Sequence, residues 1–193
     1  MNEIDDRGRG RRSLLGLAGA AALGGWGVAG QALAQPTASG WPTRPVRIIV
    51  PFSAGGTTDI LAREMAARFG ERWKTSVVIE NKGGAGGNLG TTLAVQAPAD
   101  GYTLLCASVG PIAVSPSLVR RLPYNPLTDL VPIVLIADVC NVLVVHPSVP
   151  AGTAEEFIAH LKRNPGTMNY GSTGIGTAAH LTGALFCLRT GTT

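Results

Sequence analysis

Residues Ser53, Ala54, Gly55, Gly56, Thr57, Thr58 and Asp59 have the composition of an anion-holding loop. An apolar run ends at Pro51 just before them, and a helical pattern begins just after. Gly55 and Gly56 let backbone N–H groups approach a ligand with no Cβ in the way. A helix N-terminus adds further donors and a partial positive charge. The chemistry suited to such a loop is capture of a carboxylate or phosphate by amides and hydroxyls. Asp59 falls in the first helical turn, where a carboxylate is stabilised, and two roles stay open for it. It can cap the helix and nothing more. It can also serve the ligand by accepting from a hydroxyl, an ammonium or a bound water, since it would repel a bare anion at contact distance.

Two further glycine-rich turns have the same setting. Gly84 to Gly90 reads GxGxxxG after an apolar run, like a dinucleotide fingerprint. It follows a later strand, and no acidic residue stands at the end of the next strand to meet a ribose. Close packing of helix on strand is the plainer account. The third turn, "GSTGIGTAAH", offers the hydroxyls of Ser172, Thr173 and Thr177, with His180 about one turn into the following helix. It lacks the spacing of a nucleophile elbow, and no acid is apparent to orient His180. His146 and His160 are isolated, no histidine pair has metal-ligand spacing, and no paired carboxylates suggest acid–base work. No cofactor and no metal are expected.

The elements that must position these turns follow from periodicity. "PVRIIVPF" (Pro45–Phe52) reads as a strand buried on both faces. Thr57–Phe69 reads as a helix with Ile60, Leu61, Met65 and Phe69 inward and Gly70 as its stop. "SVVIEN" (Ser76–Asn81) and "YTLLCAS" (Tyr102–Ser108) read as the next strands, with a small-residue helix between them ending near Ala97. Pro111, Pro116, Pro123 and Pro126 forbid long regular elements and imply a surface excursion. Two apolar runs follow, "VPIVLIADV" and "CNVLVVHP", then a helix capped by Thr153 with Glu155 and Glu156 in its first turn. "MNYGS" reads as a short strand before the third turn and a last helix. Strands alternating with helices argue for an α/β fold with a parallel-rich sheet. The chain stops at Thr193, just after a helix that is expected to return to a strand.

The 193 residues carry a net charge of +4. Removing residues 1–34 takes away four basic and three acidic residues and leaves about +3. That charge is too weak and scattered to argue for nucleic acid. The front reads as an export signal: basic residues end at Arg12, an uncharged stretch runs from Ser13 to Ala34, and "ALA" precedes Gln35. Arg11-Arg12 followed by "SLL" has a twin-arginine look, with Gly10 and Gly16 departing from that pattern. An uncleaved anchor is the alternative, since the stretch is about long enough to span a bilayer. Cys106, Cys140 and Cys187 match no metal motif, and Cys106 and Cys140 lie in runs that read as buried strands. Free buried thiols are expected.

The segments "VPFSAGGTTDILAR", "VVIENKGGAGGNLG", "PADGYTLL", "NPLTDLVPIVLIA" and "YGSTGIGTAAHLTGALF" stand in an order and spacing that resemble the Bug family. These are the periplasmic solute receptors of tripartite tricarboxylate transporters. The similarity runs from Pro45 to Gly191. It implies an α/β periplasmic-binding-protein-like fold of type II, the Venus-flytrap kind, with two lobes. The division it implies is export signal 1–34, linker 35–44, first lobe 45–137 and a partial second lobe 138–193. Family members continue for well over a hundred residues more, so this chain is expected to be truncated and to bind weakly at this length.

The resemblance also implies a protein that is not an enzyme and that hands a small carboxylated solute to membrane permease subunits. Carried over by motif, one ligand loop comprises Phe52, Ser53, Ala54, Gly55, Gly56 and Asp59. The opposing loop comprises Ser172, Thr173, Gly176 and Thr177, and Ser108 faces the same cleft. Two rivals remain: an exported α/β enzyme using Ser172 and His180, and a sensor-type or non-functional fragment of a binding protein.

Overall fold

The structure, a computed structural model, describes residues 40–193. The export segment and residues 35–39 of the linker lie outside the described residues. A three-stranded parallel sheet organises the first half. Strand β1 (Val46–Val50) is central, flanked by β2 (Val77–Asn81) and β3 (Thr103–Leu105) in the order β2-β1-β3. Ile48 is in register with Ile79 on one side and Leu104 on the other. Helix α1 (Thr57–Trp73) connects β1 to β2, and α2 (Asn88–Val95) connects β2 to β3. The turns leaving β1, β2 and β3 therefore all open at the same end of the sheet, where open parallel sheets hold their ligands.

The expectation that β1 is buried on both faces is met. Val46, Ile48, Ile49 and Val50 are all buried. Each contributes roughly 1.5–3 kcal/mol by leaving water. Ile48 and Val50 pack with Ala62, Ala66 and Cys106, and with the half-buried Phe52, Phe69, Val77, Ile79 and Leu104. Of the residues of α1 expected inward, Leu61, Met65 and Phe69 are half-buried, with Phe69 packed against this core, and Ile60 is exposed. Asp59, Ala62 and Ala66 are the buried residues of the helix.

Gly70 also fails to stop α1, which runs to Trp73 and ends on Lys74 in the left-handed region. Trp73 stacks on Phe69 with ring centroids 4.4 Å apart and meets Trp41 edge-on at 4.9 Å. This aromatic packing holds the extra turn in place. The proline-rich excursion contains a wide helical turn (Gly110–Val114) and the short helix α3 (Ser115–Leu118). Buried Tyr124 pins it down. Its hydroxyl lies 2.7 Å from Asn88 Oδ1 and 2.8 Å from the Pro111 carbonyl.

In the second half, α4 (Ala154–Arg163) forms as expected. Thr153 Oγ1 accepts from Glu156 N at 3.2 Å, and Glu156 Oε2 accepts from Gly152 N at 2.7 Å, a reciprocal cap. Helix α5 (Ala178–Thr190) runs beside it, with Phe157 and Phe186 stacked at 6.1 Å. The apolar runs between residues 131 and 146, and the expected "MNYGS" strand, form no strand among the described residues. Val131, Ile133, Leu135, Val142 and Val144 are exposed.

Cys140 is exposed rather than buried, and Cys187 is half-buried; only Cys106 meets the expectation of a free buried thiol. The physical reason is that a strand needs a hydrogen-bonded neighbour, which periodicity alone does not supply. An exposed apolar strip of this kind favours association. The chain should bind a hydrophobic dye and elute in gel filtration ahead of a 19.8 kDa monomer. Joint Val142→Lys and Val144→Lys substitutions should reduce both signals; unchanged dye binding would show that the strip is covered in solution.

Candidate functional site

The turn after β1 owes its shape to Asp59. The carboxylate is 2 % exposed and points back under the loop. Its Oδ2 accepts from the Gly55 N–H at 2.8 Å and from Arg63 Nε at 2.9 Å, while Oδ1 accepts from Asn81 Nδ2 at 2.9 Å. Asn81, the last residue of β2, also donates to the Phe52 carbonyl at 3.2 Å and accepts from Arg63 Nη2 at 3.2 Å. One carboxylate thereby ties the loop to its own helix and to the neighbouring strand. These hydrogen bonds, from Arg63 first and then from Gly55 and Asn81, lower the Asp59 pKa from 3.8 to about 2. Of the two roles left open by the sequence, the geometry favours the architectural one.

In front of that loop is a hollow of about 420 Å³ lined by Phe52, Ser53, Ala54, Gly55, Gly56, Gly83, Gly84 and Thr173. Five of the expected site residues thus meet Thr173 of the third turn across one space. Among the described residues that line it, none carries a charged side chain. Helix α1 starts at its wall, and Gly56 at the N-cap supplies no side-chain bond to the first N–H groups. A small anion is the natural occupant of such a wall. Arg63 neutralises Asp59, which removes the repulsion that the sequence suggested.

The remaining expected residues stand back from the lining. Thr177 is buried and caps α5, accepting from His180 N at 3.4 Å and donating to the Gly174 carbonyl at 2.7 Å. Gly176 is buried, and its N–H donates to His180 Nδ1 at 3.4 Å. Ser172 Oγ accepts from Gly174 N at 3.3 Å. Ser172 and His180 are therefore each engaged with the backbone of their own turn. Ser108 is half-buried in the segment after β3. Ser172, Gly176, Thr177 and His180 together shape the turn that presents Thr173.

Sequence reasoning missed Arg63, Asn81 and the second glycine-rich turn. The packing role expected of that turn is real at Gly90, where a Cβ would lie 2.6 Å from the Lys82 carbonyl and 2.7 Å from Pro51 Cα. Gly83 and Gly84 nevertheless line the hollow. The signal that could have found Asn81 is its place at the carboxyl end of a strand beside the opening loop.

The fold and hollow define an α/β protein with an open ligand space at the carboxyl end of a parallel sheet, and comparisons with known proteins place it in a family. Residues 61–193 match the tripartite tricarboxylate transporter family receptor. The chain belongs to that family. It is 41 % identical over 166 residues to protein BugT of Bordetella pertussis, covering 85 % of this chain and 51 % of BugT. A solved periplasmic transporter superposes with a TM-score of 0.77 at 43 % identity, covering 79 % of this chain and 51 % of that one. R. palustris Rpa4515 with adipate superposes with the same score, 0.77, at 39 % identity and the same coverage, 79 % and 51 %. The α/β parallel-sheet fold of the periplasmic binding proteins is thus established. The chain spans about half the length of the relatives it matches.

A depressed carboxylate pKa stabilises the folded state fully above the unfolded value, and that stability is lost as pH falls through the folded one. Asp59 should therefore contribute to an acid limb between about pH 4 and about pH 2. Asp59→Asn should lower stability at neutral pH and flatten that limb, measured by urea unfolding across the range. A limb of unchanged slope would remove Asp59 as its source.

Proposed function

We propose that the chain is part of an extracytoplasmic, periplasmic solute-binding protein, exported by its N-terminal signal. It captures a small carboxylated solute for the permease subunits of a tripartite tricarboxylate transporter and performs no chemistry on it. The observation that carries this reading is the uncharged hollow walled by Phe52–Gly56 on one side and Thr173 on the other. Backbone donors at a helix N-terminus and the hydroxyls of Ser53 and Thr173 suit a carboxylate and offer no nucleophile–base–orienter set. The adipate held by Rpa4515 makes a dicarboxylate the first solute to try. Lobe boundaries at residues 45–137 and 138–193 belong to the same reading.

The test is calorimetric titration of adipate and a panel of mono-, di- and tricarboxylates into a version extended to the relatives' length. At least one should bind with a dissociation constant of about micromolar order. Thr173→Val should weaken it roughly tenfold, the loss expected for one hydrogen bond to a charged group. The 193-residue chain should bind the same solute more weakly. Failure of every carboxylate to bind would overturn the proposal. Turnover of a simple ester that Ser172→Ala abolishes would replace it with the enzymatic one.

A further inference from the structure

Beside the hollow the second and third glycine-rich turns meet backbone to backbone. Gly86, in the short helical turn Ala85–Gly87, is buried against the third turn. A Cβ added to Gly86 would lie 2.5 Å from the Ile175 carbonyl oxygen, and one added to Gly174 would lie 2.9 Å from Gly86 Cα. The two backbones touch with no side chain between them. Gly110 completes the contact from the excursion, since a Cβ there would lie 3.3 Å from the Gly176 carbonyl and 3.5 Å from that of Gly86. Each side of this contact is close in sequence to the lining of the hollow. Gly83 and Gly84 precede Gly86, and Thr173 precedes Gly174.

We propose that Gly86 is the positioning residue of the binding site, a bare-backbone stop that sets the gap between Ser53–Gly56 and Thr173. This deepens the solute-binding reading and rests on it. Protein interiors do not yield by an ångström without cost. A methyl group at Gly86 cannot be absorbed by a flexible side chain, because what it meets is a carbonyl. The third turn must retreat, and Thr173 retreats with it. A carboxylate that needs donors from both sides then loses one side.

Three alanine substitutions in the full-length chain separate this role from general damage. Gly86 has φ +65°, so alanine there adds backbone strain to bulk. Gly110 is not in the left-handed region, so alanine there acts by bulk alone. Gly171 lies on the third turn with nothing within 4 Å of its Cβ position and is the control. Adipate affinity should fall roughly tenfold or more for Gly86→Ala, a few-fold for Gly110→Ala, and less than about twofold for Gly171→Ala.

Hydrogen exchange of residues 172–180 should rise in the same order while that of β1 and β2 stays unchanged. Equal affinity of Gly86→Ala and the parent, or equal exchange in that segment, overturns the proposal. So does loss of protection throughout β1, which would mark Gly86 as a folding requirement. If the parent binds no carboxylate while the exchange order holds, the stop stands and the solute reading falls.

Discussion

A single buried carboxylate holds the first half of the site together. Asp59 gathers the Gly55 N–H, the Arg63 guanidinium and the Asn81 amide within 2.8–2.9 Å. These three groups come from the loop after β1, from the next turn of α1 and from the end of β2. Without that carboxylate, the loop has Gly55 and Gly56 at its bend and little else to select one conformation, since glycines lose more entropy on ordering than other residues. Charge-assisted hydrogen bonds supply the selection, and they are stronger than neutral ones. The exposed Arg63 guanidinium is held in the pair and is not among the groups that line the hollow.

The limits of sequence reading follow from the same contrast between local and distant contacts. Each strand of the sheet was legible from composition and periodicity, and the cap at Thr153 because it depends on neighbours within a few residues. The glycine-rich turn of the opening loop was legible for the same reason. Asn81 was not, because its partners Phe52 and Asp59 are 29 and 22 residues away. Ile60 reads as core by hydropathy, yet it is exposed while the smaller Ala62 and Ala66 are buried. The runs between residues 131 and 146 show the opposite failure. Their composition is that of strands, but β propensity only describes fitness for a pleated surface, and among the described residues nothing pairs with them.

The two halves of the described chain are accordingly unlike in their stabilisation. Ile48, Val50, Ala62, Ala66 and Cys106 form one contiguous core in the first. In the second, Phe157 and Leu161 of α4 are buried, while α5 has no buried residue. The N-terminal turn of α5 is fixed by the Thr177 cap and the contact of Gly174 and Ile175 with Gly86, and further along the helix Phe186 stacks on Phe157. A packed β unit thus serves as the platform, and the third turn is held against it by backbone proximity more than by apolar burial. Local stability tracks buried contact, so the platform is the stiffer partner and the third turn the one able to move.

That asymmetry suits the proposed receptor better than a charged pocket would. A ligand shifts a two-state equilibrium only by its differential affinity for the two states. An arginine on the platform would hold a carboxylate almost as well with the third turn absent as with it present, and so would favour closure little. In the proposed site, neutral donors divided between Phe52–Gly56 and Thr173 would bind weakly from either side alone, and their combined grip would require both turns at the distance proposed to be set by the Gly86 contact. Keeping Arg63 occupied with Asp59 shapes the loop, and under the proposed reading it would leave the free energy of capture to the contacts that depend on closure.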